Sequence, residues 1–89
     1  MPKLKLCKYG ASWCIPCRIL NSFIHDFDTI IDIIEYDIDK IDPIVLSTLK
    51  IRTIPVVTIN DKHRELWRHI GYISKIDLEN KINEYALNK

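Results

Sequence analysis

Apolar residues fall along this chain in two rhythms, one of period two and one of period near four. Leu4 to Tyr9 alternates and is closed by Gly10. This predicts a first strand with Leu4 and Leu6 on one face and Lys3, Lys5 and Cys7 on the other. From Ser12 to Asp28, Ile15, Ile19, Phe23 and Phe27 recur every four residues, with Leu20 and Ile24 beside them. That stripe predicts an amphipathic helix, with Pro16 in the first turn where its missing N–H costs little. Ile30 to Ile38 is rich in β-branched residues and predicts a second strand. Polar Asp39 to Asp42 ends it, and Pro43 opens a short helix running to Lys50. Ile54 to Asn60, with Pro55 at its beginning, predicts a third strand, and Arg64 to Ile70 a fourth. The turn Asn60-Asp61-Lys62 between them makes an antiparallel hairpin. Gly71 closes the hairpin. Ser74 caps a last helix, with Asp77 three residues on and Ile76, Leu78, Ile82 and Leu87 along its length.

The order is β-α-β-α-β-β-α. Helices join the first three strands, which implies parallel, right-handed crossovers. The expectation is an α/β domain with a four-stranded mixed sheet, order 2-1-3-4, and helices on both faces. A chain of 89 residues holds one domain, 1–89. Seventeen isoleucines against two Phe and one Met predict a core of stiff, β-branched side chains.

Charge narrows the function classes. Lys plus Arg number 13 and Asp plus Glu 12, a balance that argues against a nucleic-acid binder. No run approaches the ~18 apolar residues of a membrane span. The first ten residues lack the basic flank and apolar core of a signal peptide. The chain therefore reads as a cytoplasmic monomer with no membrane partner.

Three cysteines, Cys7, Cys14 and Cys17, are too few for a disulfide framework. A Cys-x-x-Cys pair in a cytosolic chain points to redox catalysis or metal binding. Zinc usually needs four ligands, and Cys7, His25, His63 and His69 offer no completing spacing. An iron–sulfur cluster shared across a dimer is a further alternative. Placement favours redox chemistry, because Ser12-Trp13-Cys14-Ile15-Pro16-Cys17-Arg18 falls where the first strand meets the first helix. A helix N-terminus carries about +0.5 charge and free N–H groups, which stabilise a thiolate at Cys14. Cys17 lies one turn on, within reach of a mixed disulfide on Cys14. Arg18 adds positive charge.

The sequence resembles the thioredoxin family in Trp13-Cys14-x-Pro16-Cys17, in Ile54-Pro55 before a strand and in Gly71 before the last helix. The stretch Ile51-Arg52-Thr53-Ile54-Pro55 is similar to the family's cis-proline segment. The resemblance covers nearly the whole chain and implies a minimal thioredoxin-like fold and thiol–disulfide exchange. Cys14 would attack and Cys17 would resolve the mixed disulfide. Trp13 would shield the site, and Ile15, Pro16, Gly71 and Tyr72 would line the substrate groove. Pro55 would be cis and leave the Ile54 backbone free to pair with an extended substrate by β-augmentation. Disulfide-containing proteins would be the substrates. No cofactor would be bound and no metal; a thioredoxin-reductase-type donor or a low-molecular-weight thiol would supply electrons. Ordinary thioredoxins begin with an extra strand and helix, so in its start the chain looks like a glutaredoxin. Ile15-Pro16 differs from the usual dipeptides of both groups, and the Gly-Gly pair of a glutathione site is absent. A glutaredoxin-like protein served by glutathione and a non-catalytic binding module remain the alternatives.

Thioredoxins usually place a buried Asp six residues before the first cysteine, with a partner Lys on the next strand. Here Lys8 and Glu35 occupy those places. This exchange of the family's pair suggests a Lys8–Glu35 salt bridge behind Cys17, with Glu35 or a linked water as proton acceptor; two ordinary, partly exposed charges are the alternative. Cys7 reads as a small buried hydrophobe. The three histidines read as surface or capping residues away from the cysteines, and Trp67 as packing on an edge strand.

Overall fold

The computed structural model describes residues 3–87. Its strands are β1 (Lys5–Gly10), β2 (Asp32–Asp37), β3 (Val56–Asn60) and β4 (Glu65–Ile70). Its helices are α1 (Ile15–Ile24), α2 (Pro43–Thr48) and α3 (Lys75–Leu87). The sheet order is β2-β1-β3-β4, as expected from the chain order. β1 pairs parallel with β2, and β3 pairs antiparallel with β4.

The direction of β3 departs from the expectation. It runs antiparallel to β1, with Tyr9 opposite Val56 and Lys5 opposite Asn60. α2 has only six residues. At 1.5 Å per residue it spans about 9 Å, whereas a six-residue strand spans about 20 Å. It does not return the chain to the far edge, so β3 starts at the end of the sheet where β1 and β2 finish.

The alternation of β1 separates two apolar layers. Leu4 and Leu6 join Leu20, Ile24, Phe27, Val57, Ile59, Leu78 and Ile82 in the larger cluster, under α1 and α3. Cys7 and Tyr9 join Ile51 and Val56 in the smaller one, against which Leu46 of α2 packs. Tyr9 stacks on Tyr36 across the β1–β2 pair, ring centroids 4.9 Å apart.

α1 is shorter than its periodicity suggested, and it is turned. Cys14 is its N-cap, and a 3₁₀ turn over His25–Phe27 follows it. Its buried residues are Cys17, Leu20 and Ile24, whereas Ile15 and Ile19 are 65% and 49% exposed. The four-residue repeat of Ile15 and Ile19 thus marks an outer face, and the core takes the stripe beside it. Likewise Ile76 of α3 is exposed, while Leu78 and Ile82 are fully buried. The side chain of Leu87 lies outside the described residues. Ile30 is exposed and Ile31 buried, so the second strand is shorter than Ile30 to Ile38.

α2 has a cap at each end. Asp42 accepts the Ile44 N–H at 2.8 Å, with Pro43 in the first turn. At the other end Lys50 takes a left-handed φ of 59°. The Ile51 N–H reaches the Leu46 carbonyl and the Lys50 N–H that of Ser47, the Schellman arrangement that usually employs Gly. Arg68 of β4, clamped by Glu65, donates to the Leu49 and Lys50 carbonyls at 2.8 and 3.0 Å. The segment leading to Pro55 is thereby tied to the sheet edge.

Two stability outcomes follow. Ile24→Ala destabilises the protein by about 2–5 kcal/mol in denaturant unfolding, and Ile19→Ala by well under half of that. Lys50→Gly stabilises it by up to about 1 kcal/mol, because a left-handed residue with a Cβ is strained.

Candidate active site

Three chain segments meet at the end of the sheet where β1 stops. The first is the turn Ala11–Cys14, closed by the Cys14 N–H to the Ala11 carbonyl at 3.2 Å. It delivers Cys14 to the N-cap of α1, where the Cys14 Sγ accepts the Cys17 N–H at 3.3 Å. Cys14 and Cys17 are joined as a disulfide, with Cα atoms 5.2 Å apart. Cys17 is fully buried, whereas Cys14 keeps 7% exposure. Of the two sulfurs, that of Cys14 is therefore the one placed to meet a partner. The helix N-terminus favours negative charge there.

The second segment precedes β3. The Ile54–Pro55 peptide is cis. Ile54 packs against the cluster formed by Ala11, Cys14 and Cys17. Pro55 is fully buried. The third segment follows β4. Gly71 has φ +97° and donates its N–H to the Pro55 carbonyl at 2.8 Å. No atom lies within 4 Å of where a Cβ on Gly71 would stand, so the space beside it is open. Tyr72 is half-exposed just beyond, and its carbonyl accepts from His69 Nε2 at 2.9 Å. Trp13, Ile15 and Pro16 stand out into solvent beside the cysteines. The Trp13 indole N–H donates to Asp39 Oδ2 at 2.9 Å, which steadies the ring across the site.

Behind the disulfide lies a polar cluster. Lys8 continues the row of Leu4 and Leu6 under α1 and is 4% exposed. A buried ammonium is costly unless paired and hydrogen-bonded. Lys8 Nζ donates to Asn21 Oδ1 and lies 3.3 Å from Glu35 Oε1. Glu35 sits opposite Lys8 in the β1–β2 register, and its Oε2 is 2.6 Å from His25 Nε2. Burial pushes the Glu35 carboxyl up, but the His25 hydrogen bond and the Lys8 charge outweigh it and leave it below the usual carboxylate range. Beside this cluster is a cleft of about 280 Å³, lined by Lys8, Gly10, Ser12, Asn21, Glu35 and Asp37 among others.

Lys8 and Glu35 thus stand together, as the sequence suggested. His25 is an exposed residue at the C-cap of α1, as expected, and it is also the second partner of Glu35, which the sequence reading did not foresee. Asn21 was missed altogether. The signal was available in the spacing, because Cys17, Asn21 and His25 follow one another at steps of four along one helix face. Cys7 is buried, unpaired and pushed up by desolvation, as suits an unreactive thiol. Trp67 packs against the larger core cluster from the edge strand. Among the described residues no group of three His, Cys, Asp or Glu side chains is placed to hold a metal ion.

No family model matches the sequence. Over 85 residues the chain is 31% identical to thioredoxin H2 of Arabidopsis thaliana, covering 92% of this chain and 62% of that protein. It thus spans less than two thirds of that relative's length. Among solved structures, a thioredoxin of Nicotiana alata superimposes with a TM-score of 0.85 at 25% identity, covering 97% of this chain and 76% of the other. Thioredoxin f2 of Chlamydomonas reinhardtii superimposes with a TM-score of 0.86 at 16% identity, covering 100% and 84%.

The Glu35 carboxyl is lowered in the folded state, so its contribution to stability is present above the ordinary glutamate range and lost as pH falls through the folded value. Glu35→Gln is accordingly less stable than the parent at pH 7. The gap narrows on acidification and closes once Glu35 is protonated in both states, as thermal or denaturant unfolding across pH will register.

Proposed function

We propose that this chain is a member of the thioredoxin family and a thiol–disulfide oxidoreductase that reduces protein disulfides. The observation that carries this reading is the Cys14–Cys17 pair at the N-terminus of α1, in which Cys14 keeps a small exposure and Cys17 none. The Cys14 thiolate attacks one sulfur of a substrate disulfide. A Cys14–substrate bond forms, and the other substrate sulfur leaves with the electron pair and takes a proton from water. Cys17 then gives up its proton and attacks Cys14 Sγ. The Cys14–Cys17 bond forms and the second substrate thiol departs. Two electrons have passed from the dithiol to the substrate. None of these steps draws on a bound cofactor.

An extended substrate pairs with the backbone at Ile54, beside the cis peptide and across from Gly71. Trp13, Ile15, Pro16 and Tyr72 frame the groove, and their apolar surface contributes affinity without selecting a sequence. Lys8 and Glu35 serve Cys17 from behind. The protein works as a monomer in the cytoplasm, where low-potential thiols keep it reduced. A thioredoxin-reductase-type donor recycles it, and a low-molecular-weight thiol is the alternative source of electrons.

An equilibrium titration in dithiothreitol buffers, read by alkylation and mass spectrometry, tests this. The expected result is one two-electron transition, lost in Cys14→Ser and in Cys17→Ser, with a midpoint near the thioredoxin value of about −270 mV. A midpoint near the oxidising end of the family range, about −120 mV, would make the protein an oxidant instead. No transition involving these two cysteines would defeat the redox reading. Turnover supported by glutathione alone would identify a glutaredoxin-like donor.

A further inference from the structure

Cys17 has no exposed surface, yet it must lose a proton before it can displace a substrate. Lys8 is the one charged side chain in the buried class among the described residues. It reaches toward Cys17: a Cβ placed on Gly10 would stand 2.9 Å from Lys8 Cε and 3.1 Å from Cys17 Sγ. The two side chains therefore border the same small space. Beyond Cε, the ammonium is held by Asn21 Oδ1 and Glu35 Oε1, and Glu35 is held in turn by His25. Asn21 and His25 follow Cys17 at steps of four, so the helix that carries the resolving thiol leads directly into the clamp.

We infer that Lys8 is a fixed ammonium that stabilises the Cys17 thiolate, and that Asn21 and the His25–Glu35 pair are positioning residues that hold it there. This rests on the dithiol reading above. Glu35 is ill suited to be the base. Both of its oxygens are engaged, by Lys8 and by His25, and a carboxylate held below its usual range is a weaker proton acceptor. The proton instead goes to solvent: Lys8 and Gly10, which border the space beside Cys17 Sγ, also line the cleft, as does the exposed Ser12. The Cys17 thiolate then attacks Cys14 Sγ, the Cys14–substrate bond breaks and its electron pair stays on the leaving sulfur. The other charges around this space are Asp37, which lines the cleft and accepts the Asp39 N–H, and Arg18, which is exposed next to Cys17 on α1.

The test is an NMR pH titration of the reduced full chain carrying cysteine labelled with carbon-13 at Cβ, read at Cys17. An opposite charge at close range lowers a pKa by about 1–3 units. Lys8→Met should therefore raise the Cys17 midpoint by about one unit or more, leaving about tenfold less thiolate below both midpoints. Glu35→Gln removes an opposing negative charge while its amide oxygen can still accept from the ammonium, so it should lower the midpoint or leave it in place. Asn21→Ala loosens the clamp from an exposed helix position, does not depend on removing the buried charge, and should raise the midpoint by a smaller step. A midpoint unmoved or lowered by Lys8→Met overturns the inference. So does a rise with Glu35→Gln as large as that expected for Lys8→Met, which would make the carboxylate decisive. If Lys8→Met does not fold, an unmoved midpoint in Asn21→Ala overturns it equally. A parent protein that keeps its two-electron transition while these midpoints stand still defeats this inference alone; loss of the transition defeats the dithiol reading itself.

Discussion

The burial of β1 on both faces is the constraint on which the rest depends. It is paired on each side, parallel to β2 and antiparallel to β3, so its backbone groups are spent within the sheet. Its side chains must then satisfy two different layers by simple alternation. Leu4, Leu6 and Lys8 face α1, while Cys7 and Tyr9 face the side covered by α2. A one-residue slip would exchange these sets and remove both cores at once. Position 10 is glycine because Lys8 and Cys17 already fill the space a side chain would need.

The direction of β3 follows from the shortness of α2 and has a functional consequence. β1 ends, β3 begins and β4 ends at one edge of the sheet. The cysteine turn, the Ile54–Pro55 peptide and Gly71 are therefore neighbours without any long loop to bring them together. The Schellman end of α2 and the Arg68 clamp hold the approach to Pro55 in place. The slightly exposed Cys14, an apolar frame and the Ile54–Pro55 backbone thus share one small region, the arrangement that the proposed attack on an extended substrate would use.

The polar cluster behind the disulfide is the chain's own feature. A charge in the core row of β1 needs partners, and it finds them on two elements: Glu35 by strand register and Asn21 by helix spacing. His25 completes the set by engaging the far oxygen of Glu35. The charged side chain that borders the space beside Cys17 is then positive, which is the basis of the proposed stabilisation of its thiolate.

The sequence by itself determined much of this. Short-range signals were enough for the element order, the helix starts at Pro43 and Ser74 and the cysteine pair at a strand–helix junction, each of which depends on residues a few positions apart; the Lys8–Glu35 pairing came only from the family resemblance. Only the tertiary structure decided which stripe of α1 is buried, because Ile15 and Ile19 repeat as regularly as Leu20 and Ile24 and the sheet chooses between them. It also decided the direction of β3, since the reach of a connection is a length in space. It brought His25 to Glu35, a contact between separate elements. Periodicity says that a face is apolar; only the packed neighbours say whether that face is inside.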